Sequence, residues 1–196
     1  SRSYYRSFLE DTLEFYGSLY FPYPYFRLGL APLSIEGSVA LGPLAQIFFP
    51  SDFWIVDESF DESARYFVET ILAHEVAHQY FFNWVKMGRN EQAWLSEAFA
   101  EYSACRMTES RRGDQIHFRT NYWNSIFAQV ENAPAIASAE ISLDPEAYFP
   151  IVYLRGSSLL EQLRKRYLNF DEVMQIYVNE HTLEFTSTSE WIETLQ

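Results

Sequence analysis

Apolar positions recur along most of this chain at intervals of three and four, the spacing of one face of an α-helix. Between Tyr5 and Leu19 they fall at Phe8, Leu9, Leu13, Phe15, Tyr16 and Leu19, which predicts an amphipathic helix covering one face of a sheet. Phe21-Pro22-Tyr23-Pro24-Tyr25 is a connector, because each proline removes a donor and pushes its predecessor into extended backbone. Arg27 to Leu33 and Ser38 to Phe49 are rich in Leu, Val, Ile and Phe, are interrupted or bounded by Gly37, Pro43 and Pro50, and predict strands. From Phe60 to Val85 the pattern predicts a long helix with Ala64, Phe67, Val68, Ile71, Leu72, Val76 and Phe82 facing inward. Asp61 and Glu62 stand at its positive end.

A turn at Met87-Gly88-Arg89-Asn90 separates this helix from a second over Glu91 to Met107, with Trp94, Leu95, Ala98, Phe99 and Tyr102 at helical spacing. Beyond a turn at Arg111 to Asp114, Gln115 to Val130 reads as a further helix, and the proline-bearing stretch Glu131 to Pro150 as a loop with short helical pieces. Helices follow over Gly156 to Leu168 and Asp171 to Asn179. Thr186 to Glu190 supplies the cap of a last short helix at Trp191-Ile192. Neither repeats nor low-complexity tracts break this order. The pattern describes one α+β domain over residues 1–196, mainly helical.

Chemistry concentrates on the long helix at His74-Glu75-Val76-Ala77-His78. Residues four apart lie about 40° apart around a helix and about 6 Å along it, so both imidazoles can converge on one zinc ion. Glu75 lies too far round the helix to be a comfortable third ligand, but it can reach a water on the metal and reads as the general base. A catalytic zinc takes three protein ligands and leaves a position open. The best third candidate is Glu97, separated from His78 by eighteen intervening residues, which an antiparallel pair of helices would return to the histidines. A histidine pair by itself is equally compatible with a hydrogen-bonded feature of a core, and Glu97 is what tips the balance towards a metal. Asn83 and Glu101 either support the ligands or serve ordinary helix-end and surface roles.

Composition narrows the alternatives. The 48% hydrophobic and 18% aromatic content describes a chain with a sizeable core. A formal net charge of −13, with no Lys/Arg stripe, speaks against nucleic acid or an anionic membrane surface as partner. Cys105 is the sole cysteine, which rules out an intrachain disulfide, and it reads as a small apolar residue. His117 and His181 have no partner motif. No run reaches transmembrane length and the opening residues lack a signal-peptide pattern, so the segment implies no direct membrane contact and leaves compartment and oligomeric state open. The abrupt ends fit a domain excised from a larger protein.

His74-Glu-Val-Ala-His-Gln-Tyr-Phe-Phe-Asn83, followed by Trp94-Leu-Ser-Glu-Ala-Phe-Ala-Glu-Tyr102, resembles the membrane alanyl aminopeptidase family of gluzincin zinc metallopeptidases, which includes aminopeptidase N and leukotriene hydrolase. The resemblance extends from about Leu13 to the end. It implies a thermolysin-like catalytic domain, in which a small N-terminal mixed sheet precedes a helical subdomain and one zinc ion sits between them. The family's N-terminal β-sandwich and C-terminal helical domain have no counterpart in this stretch.

The same resemblance marks two further positions. The family's Y-E-K-G tyrosine, which hydrogen-bonds the oxyanion, matches Tyr153 in Tyr153-Leu-Arg-Gly156, with Tyr148 a lesser candidate. The family's G-A-M-E-N motif, whose glutamate binds a substrate's free amino terminus, matches Gly37-Ser-Val-Ala-Leu41, so Ala40 stands where that glutamate belongs. Glu36 is a neighbouring carboxylate that could substitute if the strand is regular from there onward. The expected function is a zinc metallopeptidase acting on peptides, aminopeptidase-like with an altered amino-terminus site. An endopeptidase of the same fold and a non-catalytic, zinc-stabilised interaction domain are the alternatives.

Overall fold

The computed structural model describes residues 2–33, 40–88, 92–113, 135–136 and 145–196. Helix α1 (Arg2–Leu19) buries Tyr5, Phe8, Thr12, Tyr16 and Leu19, one stripe at intervals of three and four. Its hydroxyls tie it to the helices behind it. Tyr16 donates to the Ala73 carbonyl at 3.0 Å, and just past its end the Tyr20 hydroxyl meets the Ser103 hydroxyl at 2.6 Å. The stripe therefore faces mainly helices α2 (Glu62–Ala77) and α3 (Trp94–Arg112) rather than a sheet. Towards the strands, the Tyr5 ring lies 5.9 Å from that of Phe49, and Leu9 and Leu13 line a cavity together with Leu30 and Pro32 of the first strand.

Two strands, β1 (Gly29–Leu33) and β2 (Gln46–Pro50), pair in parallel from Gly29↔Gln46 to Leu33↔Pro50. Leu41 adds an antiparallel bridge to Phe48, through N–H···O contacts of 3.0 and 2.8 Å, so the small sheet is mixed. The strand expected over Ser38 to Phe49 is thus shorter. The chain folds back between Leu41 and Gln46, where Ala45 takes a φ of 55° and the Gln46 amide donates to the Pro43 carbonyl at 3.0 Å.

The helix expected to run from Phe60 to Val85 also ends early. Asp61 caps it by accepting from the Ala64 amide, and the last helical residue is Ala77, with His78 as C-cap. Beyond it the chain tightens. The Gln79 amide donates to Val76 and that of Tyr80 to Ala77, and a bridge between Phe81 and Val85 closes the turn. Phe82, the apolar position that extended the expected inward face past Val76, is instead 45% exposed in this turn, and Phe67, also expected inward, is 55% exposed, while Tyr80, Phe81 and Val85 are buried.

A two-residue strand β3 (Lys86–Met87) leads towards α3, which starts at Trp94 rather than Glu91 and continues to Arg112. After a short helix α4 (Pro145–Tyr148) comes a π-helical segment, Phe149–Arg155, then α5 (Gly156–Arg166) and α6 (Phe170–Glu180). Strand β4 (Phe185–Thr186) pairs in parallel with β3, and α7 (Thr188–Thr194) closes the described chain. The N-cap expected within Thr186 to Glu190 is Ser187, whose hydroxyl accepts from the Glu190 amide while the Glu190 carboxylate accepts from the Ser187 amide, a capping box that starts the helix at Thr188. The core gathers around α3. The Phe99 ring stands 5.1 Å from Trp191 and 5.7 Å from Tyr177. The helix predicted over Gln115 to Val130, His117 included, lies outside the described residues.

Candidate active site

Among the described helices α2 and α3 pack against each other most extensively, and their ends carry the expected chemistry. His74 and Glu75 occupy the last turn of α2, His78 its cap, and Glu97 the first turn of α3. One donor atom from each of His74, His78 and Glu97 lies within 4.8 Å of the others. Both histidine Nε2 atoms stand 3.3 Å from the same Glu97 Oε2.

The opposite ring nitrogens decide what this arrangement can hold. His74 Nδ1 lies 3.1 Å from the Glu101 carboxylate, and His78 Nδ1 lies 3.1 Å from the Phe81 carbonyl and 3.2 Å from the Ser96 hydroxyl. A carboxylate and a carbonyl only accept, so each neutral ring keeps its proton on Nδ1. Each Nε2 then turns a lone pair towards the Glu97 carboxylate. Three lone-pair donors that converge in a buried place require a positive charge between them, and a borderline-soft cation with N and O ligands, such as zinc, fits that donor set.

The charges around the site favour positive charge at this point. Burial opposes charge on the two histidines, but hydrogen bonds and charge from Glu101 and Glu97 on His74, and from Glu97 on His78, outweigh it, so both rings take up a proton more readily than free imidazole, and a metal ion bound there displaces that proton from Nε2. Burial alone would raise the Glu97 carboxyl, yet the two histidines hold it well below the usual carboxylate range. Glu75 is different. Burial dominates there and raises its pKa, with the histidines opposing and Glu97 assisting.

Glu75 is also the side chain against which the N-terminal segment closes. A β-carbon on Gly42 would stand 2.7 Å from the Glu75 carbonyl and 2.9 Å from its Oε2, so only glycine lets the chain pass there. The segment is held by the turn that follows α2. The fully buried Gln79 receives the Ala45 amide at 2.7 Å and donates to the Pro43 carbonyl at 3.1 Å and the Gly42 carbonyl at 3.3 Å. Asn83 bridges the Gly42 and His78 carbonyls at 2.8 Å each. Of its two expected alternatives, Asn83 thus holds the backbone of a histidine rather than a ring. Gly42 and Gln79 were not singled out in the sequence, although the Gly42-Pro43 break in an apolar run was a signal.

Tyr153 reaches the site from the π-helical segment. Its ring stacks on His74 at 5.6 Å and 9°, and its flanks are Phe149 at 5.0 Å and Tyr148 at 6.1 Å. Burial and the nearby Glu97 charge keep its phenol protonated, well above the usual tyrosine range. Gly156, directly after this segment, faces Ala98 and Ile136 so closely that an added β-carbon would run into the Ala98 side chain. That contact sets α5 and the π segment tightly on α3, beside Glu97. Ala40, half-buried, packs against the core two residues before Gly42. Glu36 lies outside the described residues. Cys105 is buried, as expected. Among the described residues no helix is long and apolar enough to cross a membrane.

Two packed helices that bring a histidine pair, the glutamate between them and a later glutamate to one buried point define the architecture of a gluzincin-type metallopeptidase. Comparison with known proteins makes the assignment narrower. The pattern described as the Peptidase family M1 domain matches residues 8–196, and the chain belongs to that family. It is 30% identical over 172 residues to aminopeptidase N of Lactococcus lactis subsp. cremoris, covering 79% of this chain and 19% of that protein. It is 27% identical over 146 residues to protein TMA108 of Saccharomyces cerevisiae, covering 69% and 15%. Against endoplasmic reticulum aminopeptidase 2 of Bos taurus it is 25% identical over 164 residues, covering 80% and 17%. The chain thus spans less than a fifth of these relatives' length. Among solved structures, a mutant M1 zinc metallopeptidase from Deinococcus radiodurans superposes with a TM-score of 0.77 at 23% identity, covering 96% of this chain and 40% of that one. A further structure of that enzyme, bound to a Tyr-Ser-Ala substrate, gives 0.71 at 24%, covering 94% and 39%.

Proposed function

We propose that this chain is the catalytic domain of a larger zinc metallopeptidase that hydrolyses peptide bonds, with His74, His78 and Glu97 as the ligands of one zinc ion. The observation that carries the proposal is the convergence of two Nε2 lone pairs and one carboxylate oxygen, each nitrogen oriented by an acceptor on the far side of its ring. Zinc bound there supplies Lewis acidity, making water nucleophilic near neutral pH and drawing charge from a carbonyl.

The protein's own groups do the rest. Glu75 takes a proton from the attacking water and returns it to the leaving nitrogen; its burial, by raising its pKa, makes it a stronger base than a surface carboxylate. Tyr153, kept protonated, donates to the carbonyl oxygen as negative charge develops on it. Gly42 lets the N-terminal segment close directly over Glu75, limiting the water that reaches it.

Aminopeptidase action accords with the family and with the named relatives. Ala40, an apolar side chain where the G-A-M-E-N glutamate is expected, favours a second reading within the same chemistry: an endopeptidase, or an aminopeptidase with another anchor for the amine. Zinc-dependent cleavage by the full-length protein of a peptide series with free and acetyl-capped amino termini separates these. Cleavage of the free form alone establishes an amine anchor, with Glu36 the first residue to mutate. Cleavage of the capped form establishes an endopeptidase. Stoichiometric zinc without cleavage of either would replace both with a non-catalytic, zinc-stabilised interaction domain.

A further inference from the structure

Phe82 combines three properties that packing does not explain together. Its φ is 123°, a left-handed backbone that bulky L-residues rarely adopt. Its side chain is 45% exposed, whereas Tyr80 and Phe81 before it and Val85 after it are buried. Its ring stands 6.2 Å from that of His78, at 72°. Glycine would hold this backbone without strain, and an exposed phenylalanine contributes little burial in return.

The turn that imposes the strain is rigidly made. The Phe82 amide donates to Val85 at 2.8 Å, the Val85 amide to Tyr80 at 2.8 Å, and the Asn83 amide to His78 at 3.1 Å. Asn83 and Gln79 bind the 42–45 segment to the same turn. That segment and its neighbour carry two more exposed apolar side chains, Leu44 at 56% and Leu41 at 45%. An aromatic ring held beside a candidate metal ligand, with further apolar side chains on the segment tied to it, has the composition of a binding wall.

We propose that Phe82 is a specificity-determining residue, its ring forming the wall of a subsite for an apolar side chain on one of the two residues flanking the scissile bond. The inference rests on the peptidase function proposed above. It assigns to Phe82 a role for which backbone strain is tolerated.

The test is Phe82→Gly in the zinc-loaded full-length protein, read by melting temperature, zinc content and a peptide series varied at both flanking positions. Phe82→Gly is expected to melt at or above the wild-type temperature and to retain one zinc. At one flanking position its ratio of kcat/KM for Phe or Leu over Gly should fall about tenfold, while Phe82→Tyr preserves that ratio. A ratio unchanged at both positions would overturn the proposal. So would a lower melting temperature or lost zinc, which would make the ring a structural support. A wild-type protein that cleaves none of the peptides would instead refute the peptidase function beneath it.

Discussion

Gly42 and Glu75, thirty-three residues apart in sequence, face each other so closely that the space a methyl group on Gly42 would need is occupied by the Glu75 carbonyl and carboxylate. Gly42→Ala must push either the segment or the carboxylate aside. We expect a stability loss of about 1–3 kcal/mol, typical of overpacking, and a fall in kcat of at least about tenfold because the proposed base is misplaced. Zinc content should fall less than turnover does, since the added methyl meets the ligand His78 only at its Cβ, at 3.3 Å, and Glu75 more closely at 2.7 and 2.9 Å. Thermal melting, metal analysis and steady-state kinetics on one preparation check all three.

Glu75→Gln and His74→Ala should separate chemistry from metal binding. The first keeps size and packing but cannot accept a proton, so zinc stays at one per chain while turnover disappears. The second removes one of the converging donors, and stoichiometric zinc should be lost with it. Activity surviving in Glu75→Gln, or one tight zinc surviving in His74→Ala, would refute the respective role.

Tyr153→Phe leaves a ring to stack on His74 and removes only the hydroxyl. If the phenol stabilises the oxyanion, kcat should fall by about a hundredfold with little change in KM, as with other single oxyanion donors. A change confined to KM would place Tyr153 in substrate binding alone.

Glu101 lies 3.1 Å from His74 Nδ1 and sets which nitrogen of that ring carries the proton. Glu101→Ala should weaken zinc binding by about tenfold to a hundredfold, and Glu101→Gln, whose amide oxygen still accepts, by less. Competition with a chelator of known zinc affinity measures both. Equal affinities in wild type and Glu101→Ala would show that the second ring nitrogen needs no carboxylate partner.

Much of this protein is legible in one dimension because its signals are local. The histidine pair with its intervening glutamate, the first helix and the final cap each depend on side chains a few residues apart, and the return of Glu97 needs only two helical stretches with a turn between them. What required the tertiary structure is non-local. Apolar periodicity carries α2 past its true end, because Phe82 continues the spacing although it stands exposed in a turn whose residues 80, 81 and 85 are the buried ones. That end is decided by a turn whose side chains Gln79 and Asn83 bind backbone groups near residue 42, and such partners have no signature in local spacing. The same holds for the tautomers of His74 and His78, set by Glu101 and by the Phe81 carbonyl, and for the π-helical approach of Tyr153. Sequence by itself determined which groups are present to do chemistry. Only the packing of distant segments decided how those groups are oriented, because orientation comes from contacts between parts of the chain that sequence spacing does not relate.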